Sequence, residues 1–303
     1  MVPLPPLAEQ KRIVAKLEQV LPLAEEYGAA QEQLDKLNKE LPEALKKSIL
    51  QEAIQGKLVP QNPKDEPAQK LLEKIAHSRH SERSEESSKG SKKTSLRGAK
   101  ATKQSKDSYS RIYRENGFWY EQIGSAAPKD ITDEIPFEIP ETWAWSRLGD
   151  IFDHKNGKQL NTANKNGLPR KYITTSNLYW DYFVLDNLKT MYFTEDELDR
   201  CTATKGDLLV CEGGDVGRAA IWNEDFDICI QNHIHKLRAY TEVCTKFFWR
   251  ILFFYKKTGL IGGKGIGIQG LSSKALHNIL IPLPPLAEQK RIVAKLEQLF
   301  KVL

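Results

Sequence analysis

The same block of sequence occurs twice in this chain, and that repeat constrains the fold more than any other feature. Val2–Val20 reads VPLPPLAEQKRIVAKLEQV and Ile281–Leu299 reads IPLPPLAEQKRIVAKLEQL; Pro3–Gln19 equals Pro282–Gln298 at all 17 positions, at an offset of 279 residues. Identity of that extent is not chance, so the sequence in between is bracketed by two copies of one structural unit. Each copy opens with prolines, which suit the entry to a helix and not its interior. Each then passes into helix formers, with Leu7, Ile13, Val14 and Leu17 giving the first copy an apolar stripe.

The first copy continues well past the repeat. Ile13, Leu17, Val20, Ala24 and Tyr27 follow in steps of four and three, and Leu34, Leu37, Leu41, Leu45 and Ile49 carry the seam onward. Gln31 interrupts it once, Pro22 and Pro42 are expected to bend or break it, and Gly56 is the expected stop. If helical throughout, Leu7–Gln55 spans about 70 Å. A stripe of that length needs a partner: the expected arrangement is a pair with another long helix, and the alternative is a helix lying on its own domain. The interface residues would be Ile13, Leu17, Val20, Leu34, Leu41, Leu45 and Ile49. The second copy stops at Leu303, matches only residues 2–24 under the offset, and reads as the truncated start of another such helix over residues 281–303.

Charge divides the remainder. The 303-residue chain has a formal charge of +5, and residues 77–108 alone supply it, with nine Lys/Arg against Glu82, Glu85, Glu86 and Asp107. Those residues include nine serines and, apart from Leu96, no large apolar side chain, so they are expected to form a disordered basic linker. The expected organisation is a helical spacer over 1–60, a short helix or connector over 61–76, the linker 77–108, and a globular domain over 109–280. All six tryptophans fall in that last segment. No window approaches 18 consecutive apolar residues, and Met1–Pro6 lacks the basic start and apolar run of a signal peptide. Cys201, Cys211, Cys229 and Cys244 form no C-x-x-C pair and read as free thiols in a reducing cytosol. A cytoplasmic protein is the expectation.

Within the globular segment, Tyr172–Thr175, Leu208–Cys211, Ala219–Trp222 and Ile228–Ile230 read as strands. Phe247–Lys257, bounded by Gly259, reads as a buried helix. Turns are marked by Asn156-Gly157, Asn166-Gly167, Gly206-Asp207 and Gly213-Gly214-Asp215. Strands mixed irregularly with few helices imply an α+β domain.

The catalytic motifs fail one after another. Gly265–Gly270 matches G-x-G-x-x-G, but a helix and not a strand precedes it, which is the wrong context for a dinucleotide site. Gly263-Lys264 lacks the remainder of a P-loop. His233 and His235 lie two apart with no third ligand nearby in sequence, so core or surface histidines are expected and not a metal site. No hydrolase elbow, H-E-x-x-H or amino-methyltransferase motif is present. The expectation is a chain that is not an enzyme, with no metal and no cofactor of its own.

Several blocks together resemble one family. PLPPLAEQKRIVAKLEQ, LKKSILQEAIQGKLVP at Leu45–Pro60, PETWAWSRLGD at Pro140–Asp150, KGDLLV at Lys205–Val210, GGDVGRAAI at Gly213–Ile221 and the Gly265–Leu271 turn are similar to the specificity subunits of type I restriction–modification systems. The resemblance spans most of residues 1–76 and 135–303 in the family's order. It implies target recognition domains, each followed by a long helix, with two such units in pseudo-twofold arrangement and the helices packed antiparallel. It implies double-stranded DNA as ligand, with methyltransferase and restriction–translocase subunits as partners. S-adenosylmethionine, ATP and Mg would belong to those partner subunits. This chain carries one recognition domain where the family has two. Two expectations follow: a half subunit that homodimerises through residues 7–55 and reads a palindromic bipartite site, or a truncated cassette acting as a helical protein-interaction spacer without DNA binding.

Residues for DNA contact are sought among forked donors, amides and cations in loops. Arg147–Thr175 carries +4 and Lys236–Lys274 carries +7, flanking Asp181–Asp227 at −8. If the basic segments meet, one face suits a polyanion. The candidates are Lys158, Gln159, Asn161, Asn164, Lys165, Asn166, Arg170 and Lys171, then Thr175, Asn177 and Tyr179 with neighbouring Thr174 and Ser176, then Arg218 after its glycine turn, and Lys264 and Gln269 in the Gly262–Gly270 turn.

Overall fold

In the computed structural model of the chain, residues 4–90, 110–161, 163–261 and 270–303 are described, with side chains for 82–90 left aside. The chain divides into two units, the first ending at Ile49 and the second comprising Leu50–Val302.

The first unit is helical. Helix α1 covers Leu7–Ile54 without interruption, with Pro22 and Pro42 inside it, which corrects the expectation of a break at those prolines. Each proline removes one N–H and crowds the carbonyl four residues back. Along an exposed 48-residue helix water can take up the freed carbonyl, and the remaining turns hold the path. Its stop is the expected one. Gly56 adopts φ +73°, Lys57 N–H donates to Glu52 O at 2.8 Å and Gly56 N–H to Ala53 O at 3.3 Å, the paired bonds of a left-handed helix terminus. A Cβ at Gly56 would stand 2.5 Å from Pro140 Cγ, so only glycine fits there.

The second unit takes in the end of α1, where Leu50, Ala53 and Ile54 are buried. Helix α2, Ala68–Gly90, buries Ala68, Leu71, Leu72 and Ile75, the spacing of a single helix face. It runs on through Gly90, so the expected boundary between a connector ending at 76 and a disordered linker is corrected. Arg79 pairs with Asp150 at 2.6 Å, and both side chains are largely buried. The averaged composition of 77–108 hid a helical first part; its residues from 91 to 108 lie outside the described residues.

The remaining elements are β1 (Ser110–Glu115), β2 (Phe118–Ile123), β3 (Lys129–Asp130), β4 (Ala144–Arg147), α3 (Leu148–Ile151), β5 (Phe152–Asn156), β6 (Leu168–Ile173), β7 (Lys189–Phe193), α4 (Glu195–Cys201) and β8 (Thr202–Ala203). They continue with β9 (Leu208–Cys211), β10 (Ala219–Ile221), β11 (Ile228–Ile230), β12 (Ile234–Ala239), α5 (Thr245–Thr258), α6 (Ser273–His277), β13 (Leu280–Leu283) and α7 (Leu286–Phe300). The fold is α+β, as expected. Two four-stranded sheets, β10-β9-β12-β5 and β7-β6-β11-β8, form its centre, and only β6–β11 pairs in parallel within them. Their facing residues, among them Ile173, Leu209, Trp222, Ile230 and Ile234, make one buried cluster. The four strands read from sequence are β6, β9, β10 and β11; three agree to within two residues, while β6 begins four residues earlier than expected.

Helix α5 is the expected buried helix and ends at Gly259 in the left-handed conformation. Trp249 Nε1–H donates to Ala219 O at 2.8 Å and the Tyr255 hydroxyl to Leu280 O at 2.9 Å, fastening it to β10 and β13. The four cysteines are free thiols. No helix among the described residues is long and apolar enough to cross a membrane.

The second repeat copy departs from expectation at its start. Leu280–Leu283 is a strand, paired antiparallel with β4 so that Pro282 faces Trp145, and α7 begins only after Pro284-Pro285. Prolines hold the preceding residues extended, which suits an edge strand once a neighbouring edge is available. In the first copy Leu4–Pro6 precedes α1 without forming a strand.

Candidate nucleic-acid interface

Many bases of the two basic segments are already engaged within the fold. Lys236 is buried, its ammonium donating to Asp199 O at 2.7 Å and Thr202 O at 2.8 Å, and burial lowers its pKa. Arg238 grips the buried Asp207 with two bonds of 2.8 and 2.7 Å. Lys256 pairs with Asp215 at 2.9 Å and Lys246 with Glu297 at 2.6 Å. Arg147 is held by Glu121 and Glu134. Strand β12 lies against β9, and this brings Arg238, at the end of the pairing, onto Asp207 just before β9. The two basic segments do meet, since β12 pairs with β5, but the pairing sets Arg238 beside Asp153 and leaves Lys236 buried, so the strands themselves present no cationic face.

The expectation for Lys158 is corrected. Gly157 lies so close to β11 that a Cβ there would sit 2.2 Å from Ile230 O. Asn156-Gly157 is thus a close approach and not a reversal, and the backbone runs on to a parallel bridge between Lys158 and Gln231. The Lys158 ammonium is buried, donating to Glu197 Oε2 at 2.5 Å and Tyr192 O at 2.8 Å over the ring of Phe193. Glu197 also accepts from Thr194 N–H at 3.0 Å, closing the capping box of α4. Burial alone would raise the Glu197 carboxyl; Lys158 and Thr194 hold it below the ordinary range. Lys158 is a structural cation.

Beyond it the loop is open. Gln159, Asn161, Lys165 and Asn166 are exposed and Asn164 half-buried. Asn161 Oδ1 accepts from Ala163 and Asn164 N–H at 3.1 and 3.2 Å, and Asn164 Oδ1 from Asn166 N–H at 3.0 Å. These asparagines shape the loop with their oxygens, as short amides do in turns. Gln159, Asn161 and Asn164 line a cavity of about 340 Å³ with Lys158, Glu197 and Arg200. Arg170 and Lys171 follow on β6, exposed. Among the described residues, Lys165, Arg170 and Lys171 enter no ion pair.

A second group gathers around Arg218. Its guanidinium donates to Thr175 O at 2.7 Å and lies 5.0 Å from the Tyr179 ring centroid. Tyr179 stacks on Tyr182 at 5.1 Å with planes 7° apart. Asn177 holds the same loop, with Oδ1 accepting from Thr174 N–H at 2.9 Å and Nδ2–H donating to Val184 O at 3.0 Å. The fold thus unites Thr175, Asn177, Tyr179 and Arg218, four candidates spread over 44 positions of sequence. Tyr182, exposed beside them, was missed; the aromatic run Tyr179-Trp180-Asp181-Tyr182 carried the available signal. Lys264 and Gln269 lie outside the described residues. The flanks of that segment are placed: Ile261 packs against Gly217, and Leu271 N–H donates to Glu212 O at 2.8 Å, both beside the glycine turn that leads to Arg218.

His235 is a core residue. His154 Nε2 lies 2.8 Å from its Nδ1, its Nε2 lies 2.7 Å from Leu271 O, and the His277 ring stands edge-on to His154. Among the described residues no group of three His, Cys, Asp or Glu side chains could hold a metal ion.

The chain thus has a loop-bearing α+β domain and a long helix. The family described as "type I restriction modification DNA specificity domain" matches residues 140–303, more than half of the chain, and the chain belongs to that family. It is 24% identical to the EcoAI type I restriction enzyme specificity subunit of Escherichia coli, over 99% of this chain and 53% of that protein. It is 25% identical to the EcoBI specificity subunit of Escherichia coli, over 99% and 51%. It thus spans about half the length of the curated relatives it matches. A solved structure described as showing complex assembly and conformational transition of the type I R-M system shares the fold, with TM-score 0.52 and 20% identity over 99% of this chain and 53% of that one.

Proposed function

We propose that this chain is a non-catalytic DNA recognition subunit, directing type I methyltransferase and restriction subunits to a bipartite target and reading one half-site per chain. The observation that carries the reading is the set of exposed cations that enter no ion pair among the described residues, Lys165 in the Asn161–Asn166 loop and Arg170 and Lys171 on β6, in a domain that engages many of its other bases. Cations supply phosphate contacts, and the amides and the Arg218–Tyr179 group supply forked donors and a stacking face. S-adenosylmethionine, ATP and Mg are assigned to the partner subunits, and the site of action is the cytoplasm.

The helix supports homodimerisation. Ile13, Leu17, Val20, Leu34, Leu41 and Leu45 are exposed along α1 and Ile49 is half-buried, an apolar seam that an antiparallel second copy would cover. Twofold symmetry then makes the target palindromic.

Co-expression with the cognate methyltransferase subunit in an unmethylated host, followed by sequencing for N6-methyladenine, tests this reading. A new palindromic bipartite motif is the expected result; no motif, with the chain soluble and bound to the methyltransferase, would leave it a helical spacer. For the interface itself, the Lys165→Ala, Arg170→Ala, Lys171→Ala triple variant is expected to weaken DNA binding and to reduce the slope of log K against log salt by about 2 to 3. An unchanged slope in a salt titration by fluorescence anisotropy would move the DNA face elsewhere.

A further inference from the structure

The two copies of the repeat stand in opposite surroundings. In α7, Gln289 and Ile292 are fully buried and Val293 and Leu296 nearly so. Their identical counterparts in α1 are Gln10, Ile13, Val14 and Leu17, of which Ile13 is 45% exposed, Val14 52% and Leu17 49%.

The second copy shows what this face is for. Gln289 Oε1 accepts from Cys244 N–H at 3.0 Å, and its Nε2–H donates to Pro284 O at 2.9 Å, clasping the proline entry to the domain. Gln61 Nε2–H donates to Glu288 at 2.6 Å, Arg291 pairs with Asp65 at 2.5 Å, and Lys290 pairs with Glu242 at 2.7 Å. In the first copy Gln10 already makes the equivalent internal bond, Nε2–H to Pro5 O at 2.7 Å. The entry is shaped alike in both. The counterparts of the docking groups, Glu9, Lys11 and Arg12, enter no ion pair among the described residues.

We infer that Pro5–Gln19 is a second copy of the domain-closing element, and that its partner is the α7 seat on the recognition domain of another copy of this chain, which it takes when that copy's own α7 is released. Every side chain from Pro284 to Gln298 is reproduced in kind, so the arriving helix offers the seat the same apolar face and the same charged groups as the helix it replaces. This assigns Ile13 and Leu17 to a domain seat and leaves Leu34, Leu41, Leu45 and Ile49 for helix pairing. It rests on the domain's own packing and stands apart from whether the domain reads DNA.

The test uses the full chain with its closing helix spoiled by Ile292→Asp. The probe is a fluorescein-labelled synthetic peptide of residues 5–20. Saturable anisotropy is expected on the variant, with at least tenfold weaker binding to the parent chain, whose seat is filled, and at least tenfold weaker binding of an Ile13→Asp peptide to the variant. The inference is overturned if the folded variant does not bind, if parent and variant bind alike, or if the Ile13→Asp peptide binds as well as the native one. Should Ile292→Asp show no cooperative melt, the full chain with Leu296→Ala replaces it. There the native peptide is expected to raise Tm by several degrees and the Ile13→Asp peptide not to, and no rise overturns the inference equally.

Discussion

Lys158→Ala is expected to lower the unfolding free energy by about 2 to 3 kcal/mol, at the low end for a buried pair because the Glu197 side chain keeps 24% of its exposure. The substitution leaves Glu197 partly buried without its cation, and Tyr192 O without its donor. It also loosens the residue that caps α4, so the loss spreads from β5's end to that helix. Urea unfolding of Lys158→Met, Glu197→Gln and the double variant measures the coupling. The double variant should be more stable than Lys158→Met alone, because it no longer buries an unpaired carboxylate. A single-variant loss below about 0.5 kcal/mol would mean that the pair behaves as an ordinary surface pair. The same variants separate structure from DNA contact: held below its melting range, Lys158→Ala should keep the parent's salt slope, which the Lys165, Arg170 and Lys171 variant should not.

Acid is the second lever, and it acts through histidine. The carbonyl of Leu271 can only accept, so His235 carries its proton on Nε2 and offers Nδ1 as acceptor to His154 Nε2–H. His235 must be neutral for this chain of bonds to hold, because a proton on Nδ1 would remove the acceptor; His154 is kept neutral by burial. Burial, followed by the nearby His235, His277 and Lys155, pushes His154 from 6.5 down to about 3, and burial lowers His235 and His277 in the same direction. A base with a depressed folded pKa contributes stability that is complete above its unfolded value and lost as pH falls toward the folded one. Between pH 6.5 and 5 His154 alone should remove about 2 kcal/mol. Burial raises the carboxyls of Asp150 and Glu288, and that contribution has the opposite sign, gaining stability as they protonate. His154→Gln therefore isolates the histidine part: its stability should fall less steeply over this window than the parent's in denaturant melts at each pH. Parallel curves for the two would sink the assignment.

The sequence disclosed the elements better than their relations. Strands such as Leu208–Cys211 and the helix ending at Gly259 were legible because burial on both faces leaves continuous apolar runs between turn residues. Gly56 was legible because a left-handed helix end needs glycine. The charge blocks misled because a block's charge does not say which of its side chains reach solvent: Lys236 is buried and Arg238 is held by Asp207. Lys158 looked like a phosphate ligand for the same reason. The Arg218 group was legible as separate candidates and not as a cluster, since its cohesion runs through Thr175 O and a ring face that no local pattern encodes. The helical part of 77–90 was hidden by averaging over a longer serine-rich stretch, and the proline strand at Leu280–Leu283 exists only because β4 presents it an edge.

That last pairing has a consequence for how such a domain changes over time. With Leu280 opposite Arg147, Leu148 N–H on Ile279 O at 2.9 Å, and Arg147 on Asn278 O at 2.8 Å, the segment from 148 to 279 leaves and returns at a single point. Its two ends are neighbours whatever happens between them. The whole segment, with its loops, sheets and histidine relay, can be exchanged at that doorway for another that also brings its ends within one strand spacing of each other. The β4–β13 ribbon is in this sense a socket, and a newcomer would also have to meet the flanking helices where Arg79, Gln289 and Lys290 hold Asp150, Cys244 and Glu242.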